Sequence, residues 1–271
     1  MSPLWRDEIG VLITPRRLVF ARIGRGLRPR RVAEARVQVE GGHFANWEPA
    51  LVVLREQLAQ PGWSNANVRL VVADQWVRYM IVPWEPDLKD DTERLAHARH
   101  LLAQAYGDME DWALTLSDAA AMRNRVATAM PTSLLTALVG DFAATGSRVV
   151  SVQPRLIAAF NQAAQRLPLA ACWFVAVDDG SLAAAHATPQ GWDRVHAIRI
   201  GSDWNTELKR LRLFGRIVGG HGNEERVFVD APAWLRPAAN DGDDGLEWLE
   251  GSDQPDRSTS AQLAWLQAQS V

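Results

Sequence analysis

A short run of acidic and small residues in the second half of the chain has the composition of a phosphate-binding turn. Asp178, Asp179, Gly180 and Ser181 stand between two apolar segments. Backbone N–H groups of a glycine-containing turn can approach phosphate oxygens, and a nearby carboxylate can organise Mg²⁺ and its waters. Asp-Gly is also a favoured turn of an ordinary β-hairpin. The segment therefore predicts a hairpin first and a phosphate site second.

A weaker candidate of the same kind lies near the N-terminus. Asp7 and Gly10 match the start of an Asp-x-x-Gly pattern, but Gly10 is followed by an apolar run, and the turn itself falls at residues 14–17. Pro15 in that turn has no amide to donate to a phosphate. Arg16 or Arg17 could attract an anion, although an arginine in a turn usually faces water.

The best metal-binding pattern in the sequence belongs to a predicted helix. Glu93, His97 and His100 are spaced so that they share one helix face and could offer a carboxylate and two imidazoles. No further cysteine or histidine pair lies nearby, so we expect a solvated helix surface and no metal. Cys172 is the only cysteine, which excludes an internal disulfide. Its apolar neighbours in the sequence predict a buried, unreactive thiol.

The elements that must position these residues occur in a pattern that is repeated. Three alternating apolar runs are followed each time by an amphipathic helix and another strand. The first copy has strands at 9–13, 18–23 and 32–39, a helix at 47–60 and a strand at 68–73. The second copy has strands at 173–177, 182–187 and 194–200, a helix at 203–214 and a strand at 226–229.

A different unit separates the copies. Its pattern predicts a strand, a helix and two further strands within about residues 75–130. We therefore expect a first lobe at 1–167 containing this small subdomain, and a reduced second lobe at 168–236. Residues 237–271 are acidic and rich in glycine and serine, which predicts a flexible tail with a short helix at its end, unless its apolar cluster of Leu246, Trp248 and Leu249 docks on the second lobe.

The duplicated pattern is similar to that of the actin-like proteins, which have an α/β fold related to ribonuclease H. Residues 71–84, VVADQWVRYMIVPW, further resemble the PilM and GspL families, in which a strand and a polar turn precede a second strand ending in proline. The resemblance implies a non-enzymatic cytoplasmic adaptor of a type IV pilus or type II secretion platform. It also implies a partner, either the cytoplasmic tail of a PilN-like bitopic membrane protein or the secretion ATPase.

The same resemblance raises the question of ATP binding. Actin-like ATPases use two phosphate hairpins and a double glycine after a late strand, and the candidate strand at 227–232 lacks that double glycine. We expect a degenerate site without a cofactor. The alternative is an ATP-binding, PilM-like protein whose nucleotide state controls its partner. That reading would use ATP with Mg²⁺, held by Gly10, Arg16, Asp178, Gly180 and Ser181. A small-molecule kinase on this fold is a third, disfavoured possibility.

Aromatic and basic residues near the predicted subdomain are candidates for partner binding. Trp76, Arg78, Tyr79 and Trp84 lie close together around one strand. Aromatic rings and arginine are enriched at protein interfaces. The alternative is a strand whose aromatic residues pack beneath the predicted helix.

Charge and hydropathy exclude several classes of protein. The net charge is −3 and the isoelectric point is about 6.1, so there is no overall basic field for nucleic-acid binding. The charged N-terminus does not resemble a signal peptide, and no apolar stretch is long enough to span a bilayer. We expect a cytoplasmic protein that meets the inner membrane only through partners. GspL-type chains continue into a transmembrane helix, so the end of this one favours a PilM-like arrangement or a chain cut before its anchor.

Overall fold

The computed structural model describes most of the chain. The described residues are 6–24, 30–42, 46–118, 122–178, 180–200, 204, 206–210, 225–232, 235 and 246–249. None of the described helices is long and apolar enough to cross a membrane.

The first lobe is built on a five-stranded sheet with the strand order β3-β2-β1-β4-β8. Its strands are β1 (Glu8–Ile13), β2 (Arg17–Gly24), β3 (Arg30–Gln38), β4 (Asn67–Val72) and β8 (Arg148–Pro154). The first three strands form an antiparallel meander, while β4 and β8 run parallel to β1. The helices of this lobe are α1 (Glu48–Leu58), α3 (Thr132–Ala144) and α4 (Arg155–Ala163).

The second lobe repeats this plan in the order β11-β10-β9-β12-β13. Its strands are β9 (Cys172–Asp178), β10 (Ser181–Thr188), β11 (Gly191–Arg199), β12 (Arg226–Asp230) and β13 (Leu246–Trp248). Again three strands form an antiparallel meander and two are parallel to the first. The duplicated architecture predicted from the sequence is therefore confirmed. Of the helix predicted at 203–214, positions 204 and 206–210 are described, and they are helical.

The last strand of the second sheet corrects the predicted tail. Residues 246–248 pair in parallel with β12, so the second lobe extends beyond residue 236. Trp248 packs edge-on against Trp204, and the Leu249 amide donates to the Val229 carbonyl at 3.0 Å. The apolar segment docks because it completes the edge of a sheet. The terminal helix predicted at 261–271 lies outside the described residues.

The unit between β4 and α3 has its own small sheet, in the order β5-β7-β6. It consists of β5 (Arg78–Val82), α2 (Asp91–Tyr106), β6 (Trp112–Leu116) and β7 (Arg125–Pro131). Ala98 and Leu102 of α2 are buried against this sheet. The strand, helix, strand, strand order is the one that the hydrophobic pattern indicates. We call this unit the inserted subdomain.

A continuous apolar core joins the two lobes through α4. Phe160 of this helix packs edge-on against Phe174 of β9 and Trp192 of β11, with ring centroids 5.4 and 4.8 Å apart. Leu156 of the same helix is fully buried in the core of the first lobe. The start of α4 therefore lies where the carboxyl ends of the parallel strands of both sheets come together.

Candidate functional site

The first hairpin of the first lobe is closed by its own threonine. The Thr14 hydroxyl donates to the Arg17 carbonyl at 2.9 Å and accepts from the Arg17 amide at 3.1 Å. The Val39 amide donates to the Arg16 carbonyl at 2.8 Å. These hydrogen bonds pair the backbone groups of Arg16 and Arg17 with other groups of the first lobe. Arg16 is left exposed and Arg17 half-buried.

The first hairpin of the second lobe lies opposite. Asp178 is the last residue of β9 and Ser181 the first of β10, and both are buried. Gly180 has a φ of +82°, a conformation that glycine adopts without strain. Its carbonyl accepts from the Ile200 amide at 3.1 Å. The predicted hairpin is therefore present, while Asp179 lies outside the described residues.

An ion pair connects the two hairpins. Arg17 Nη2 donates to Asp178 Oδ1 at 3.0 Å, joining residues that are 161 positions apart in the sequence. The Asp178 side chain is almost fully buried, and about a quarter of the Arg17 side chain is exposed. A charge-assisted hydrogen bond in such partial burial is stronger than one in water. We call this pair the hairpin clasp.

A second arginine lies beside the clasp at the first position of α4. Arg155 is only 9% exposed. Its Nη2 donates to Asp230 Oδ2 at 3.1 Å, and its Nε lies 3.7 Å from Asp178 Oδ2. Burial opposes the charge of Arg155, but the carboxylates of Asp230, Asp178 and Asp74 outweigh it and raise the pKa of the guanidinium. Arg155 therefore stays cationic and joins the last residues of β9 and β12.

A third carboxyl group completes the cluster from the first lobe. Asp74 follows β4, and its Oδ1 accepts from the Leu156 amide at 2.9 Å and from the Tyr79 hydroxyl. Burial raises the pKa of Asp74 to about 6, against the opposing effects of these two hydrogen bonds and of Arg155. Burial and the Asp74 charge raise the pKa of Tyr79, which remains a donor. Asp74 thus anchors the start of α4 through the Leu156 amide.

The cluster as a whole contains two guanidinium groups and three carboxyl groups. We call it the cleft network, and its members are Arg17, Asp74, Arg155, Asp178 and Asp230. With a pKa of about 6, Asp74 is mostly ionised at neutral pH, so the three carboxylates of the network slightly outweigh its two guanidinium groups. Chemically, it can hold the two lobes together.

Comparison with known proteins addresses the fold. No protein-family model and no curated protein matches the sequence. Many solved structures match, among them three whose match extends along almost their whole length. The cytoplasmic domain of EpsL, an inner-membrane component of the type II secretion system of Vibrio cholerae, has a TM-score of 0.62 and 13% identity over 97% of this chain and 95% of that one. The PilM-PilN type IV pilus biogenesis complex has a TM-score of 0.67 and 15% identity over 94% of both chains. A Bacteroides thetaiotaomicron protein of unknown function with an actin-like ATPase fold has a TM-score of 0.62 and 10% identity over 96% of both chains.

This chain has the actin-like fold. The resemblance to the PilM and GspL families is confirmed at the level of the fold, since both the EpsL domain and the PilM-PilN structure match along almost the whole chain. The two hairpins joined by the clasp contain the turns at 14–17 and 178–181, which were the candidate phosphate-binding turns of the sequence.

Only some of the residues predicted to bind a nucleotide lie at the hairpins that face each other. Asp178, Gly180 and Ser181 lie together at the second hairpin of the actin-like cleft. Gly10 lies in the middle of β1, paired with Ala21, and is not part of a turn. It is therefore not positioned as a turn glycine.

Of the two arginines that the sequence offered for an anion, Arg17 reaches the cleft, whereas the predicted nucleotide set contained Arg16. The alternation of β2 turns Arg17, its first residue, toward Asp178, while Arg16 at the apex of the turn is exposed. Arg155 and Asp230 were not predicted as site residues at all. One signal was available for Arg155, because a cation is unfavourable in the first turn of a helix unless carboxylates compensate it.

The predicted partner-binding group does not form one surface. Trp76 and Tyr79 are only 2% and 4% exposed and belong to the core, so burial removes them from direct contact with a partner. Trp84 is 39% exposed. The Arg78 guanidinium lies 5.4 Å from the ring centroids of both Tyr106 and Trp112. Of the four predicted residues, therefore, only Trp84 and Arg78 remain accessible to a partner.

The remaining candidates for chemistry have structural roles. Glu93 accepts from the Lys89 amide at 2.7 Å, and its own amide donates to Asp90, so it caps the start of α2. His100 pairs with Gln104 on the exposed face of that helix. Within the described ranges, no group of three or more potential ligands is arranged to hold a metal ion. Burial raises the pKa of Cys172, which disfavours the thiolate.

Proposed function

We propose that this chain is a non-enzymatic, actin-like adaptor of a type IV pilus or type II secretion platform. It works in the cytoplasm at the inner membrane and binds the cytoplasmic segment of a single-span membrane protein, the assembly ATPase, or both. The likeness to the EpsL cytoplasmic domain and to the PilM-PilN complex supports this proposal through the shared fold. In PilM-PilN the actin-like protein forms a complex with a second pilus biogenesis protein.

The observation that carries the proposal is the cleft network. A triphosphate between the hairpins would have to separate Arg17 from Asp178, whose ion pair measures 3.0 Å. It would also approach Asp230 and Asp74, which repel phosphate unless a cation intervenes. Removing one member of a buried ion pair is costly because the other is left unpaired. The chain therefore stabilises its own closed cleft without a nucleotide, and the site is degenerate.

The partner segment, in this proposal, contacts the inserted subdomain. The Arg78 guanidinium contacts two aromatic rings, and one of them, Tyr106, is 48% exposed. Trp84 follows the end of β5 and is also accessible. An arginine flanked by aromatic rings is a frequent energetic centre of protein interfaces.

A second candidate function is supported by one observation. Arg17 Nε and Arg155 Nη1 are buried N–H groups with no hydrogen-bond partner among the described residues. Together with the retained turn at Gly180, they are donors that an anionic nucleotide could use. An ATP-bound form would then need Mg²⁺ at Asp178 and an opened clasp, so nucleotide would act as a switch of partner binding.

One binding experiment separates the two functions. Fluorescent peptides are made from the cytoplasmic starts of single-span membrane proteins encoded beside this gene, and their anisotropy is measured with and without saturating MgATP. The adaptor proposal predicts that one peptide binds with the same dissociation constant in both conditions, and that Arg78→Met weakens it. A dissociation constant that shifts with MgATP supports the switch. Failure of every peptide and of the assembly ATPase domain to bind would contradict both.

A further inference from the structure

One short stretch of this acidic chain has a large excess of positive over negative charge. Between Thr14 and Arg36 there are eight arginines and a single carboxylate, Glu34, whereas the whole chain has a net charge of −3. The rest of the molecule is therefore strongly acidic. Such an asymmetry indicates a local electrostatic surface rather than a general property of the protein.

Two of these arginines are used inside the molecule. Arg17 forms the hairpin clasp with Asp178. Arg22 donates to Asp7 at 2.8 Å and to the carbonyls of Gly62 and Ser64. Their conformations are fixed by these partners, so they do not account for the basic character of the surface.

Three others lie on β3, the outermost strand of the first sheet. Arg30, Arg31 and Arg36 are exposed. Glu34 pairs with both Arg31 and Arg36, so these three arginines are accompanied on the strand by a single carboxylate. In the described part of the chain, β3 is hydrogen-bonded to β2 alone, and its other side forms the edge of the sheet.

An apolar side chain stands among these charges. Val32 is 54% exposed and directly follows Arg30 and Arg31, at the point where the pairing of β3 with β2 shifts register. The residues that connect β2 to β3, at 25–29, lie outside the described part of the chain. Their sequence, Arg-Gly-Leu-Arg-Pro, adds two arginines, a leucine and no acid.

We propose that β3 binds an anionic lipid surface through Arg30, Arg31, Val32 and Arg36, which we call the basic edge. Guanidinium groups bind phosphate in two-pronged geometry, and an aliphatic side chain between them suits the boundary between headgroups and acyl chains. A surface for single-stranded nucleic acid would use aromatic rings for base stacking, and β3 contains none. The adaptor then contacts the membrane directly as well as through its partner, whereas the sequence predicted only an indirect contact.

Cosedimentation with vesicles tests the basic edge on the full chain. We expect binding to phosphatidylcholine vesicles that contain about 30 mol% phosphatidylglycerol, no binding to pure phosphatidylcholine, and release at about 500 mM salt. Arg30→Gln with Arg31→Gln should lower the partition coefficient by about tenfold or more. Glu34→Gln should raise it about fivefold, an increase that a merely structural role of β3 does not predict.

A matched control removes two exposed arginines elsewhere. Arg123 lies in the inserted subdomain and Arg148 on β8, at the opposite edge of the same sheet. Arg123→Gln with Arg148→Gln changes the net charge equally and should leave vesicle binding as it is. Equal losses in both double variants, or equal binding to neutral vesicles, would overturn the proposal. Tighter binding to a labelled DNA duplex than to the anionic vesicles, lost with Arg30 and Arg31, would overturn it in favour of nucleic acid.

Discussion

The two sheets of this molecule have one strand order but carry opposite charges on their first hairpins. In the first sheet, the hairpin between β1 and β2 presents Arg17, and its turn contains a proline. In the second, the hairpin between β9 and β10 presents Asp178 and has a glycine with positive φ. Two hairpins that bound the same phosphates would both need to offer donors. These two bind each other instead.

The difference shows how a duplicated fold can lose a ligand while keeping its shape. The hairpins still face each other because the topology places the carboxyl ends of the parallel strands together. Arg155 then joins the second hairpin to the end of β12, at 3.7 Å from Asp178 and 3.1 Å from Asp230. The predictions that follow alter one side of this arrangement at a time.

The largest effect is expected from removing the buried arginine. Arg155→Met leaves Asp178 and Asp230 without their shared cation, which should lower the free energy of unfolding by about 3–5 kcal/mol in urea titrations. The matched control is Arg55→Met, which breaks a surface pair in which Arg55 Nε donates to both carboxylate oxygens of Asp141. That variant should lose less than about 1 kcal/mol. Equal losses would show that the cleft arginine has no special role.

The first lobe's carboxyl group at the cleft should make stability depend on pH. Because the pKa of Asp74 is raised from 3.8 to about 6, the folded state binds more protons than the unfolded state between these values. Stability therefore falls as pH rises through this window, by about 3 kcal/mol in total.

Asp74→Asn removes this pH dependence, since an amide oxygen can still accept from the Leu156 amide and the Tyr79 hydroxyl. Its stability relative to the unmodified protein should increase progressively between about pH 4 and about pH 7. Urea unfolding across this range measures the difference. Asp141→Asn, on the surface of α3, serves as the control and should leave the pH profile in place. Parallel profiles for Asp74→Asn and the unmodified protein would refute the assignment.

The hairpin clasp itself should contribute less. A double-mutant cycle with Arg17→Met and Asp178→Asn isolates the interaction between the hairpins from the contacts that each makes elsewhere. We expect a coupling of about 1 kcal/mol, because the Arg17 side chain is partly exposed to solvent. Additive effects of the two substitutions would mean that the hairpins do not stabilise each other.

The smallest effect concerns the fifth strands, where the two sheets differ most in length. β8 has seven residues and β13 only three. Arg226 pairs with Glu247 across the edge of the second sheet. Arg226→Gln should speed hydrogen exchange at the Leu249 amide, which donates to β12, while global unfolding stays the same. Unaltered exchange at that amide would show that the pair does not hold β13.

The sequence predicted local patterns well and distant contacts poorly. Both three-stranded meanders were visible because alternation has a period of two. The segment of β13 was recognised as an apolar cluster that could dock, but three residues are too few to show that it docks as a strand. Trp76 was misjudged as an interface residue because its short helical turn, Asp74–Trp76, follows a strand and folds the ring into the core.

The cleft network could not be predicted from spacing. Its hydrogen bonds join Arg17 to Asp178 and Arg155 to Asp230, which are 161 and 75 positions apart. No local periodicity records such pairings. The second hairpin was recognisable as a turn, but whether its carboxylate would face a metal ion or an arginine depends on the opposite lobe.

Calorimetric titration of the full chain with MgATP tests most directly whether the cleft is held closed by its own ion pairs. The account predicts no saturable heat up to about 1 mM nucleotide, a concentration at which even a weak specific site would begin to fill. It also predicts no change when Asp178 is replaced by alanine. Saturation at micromolar MgATP that disappears in Asp178→Ala would contradict it.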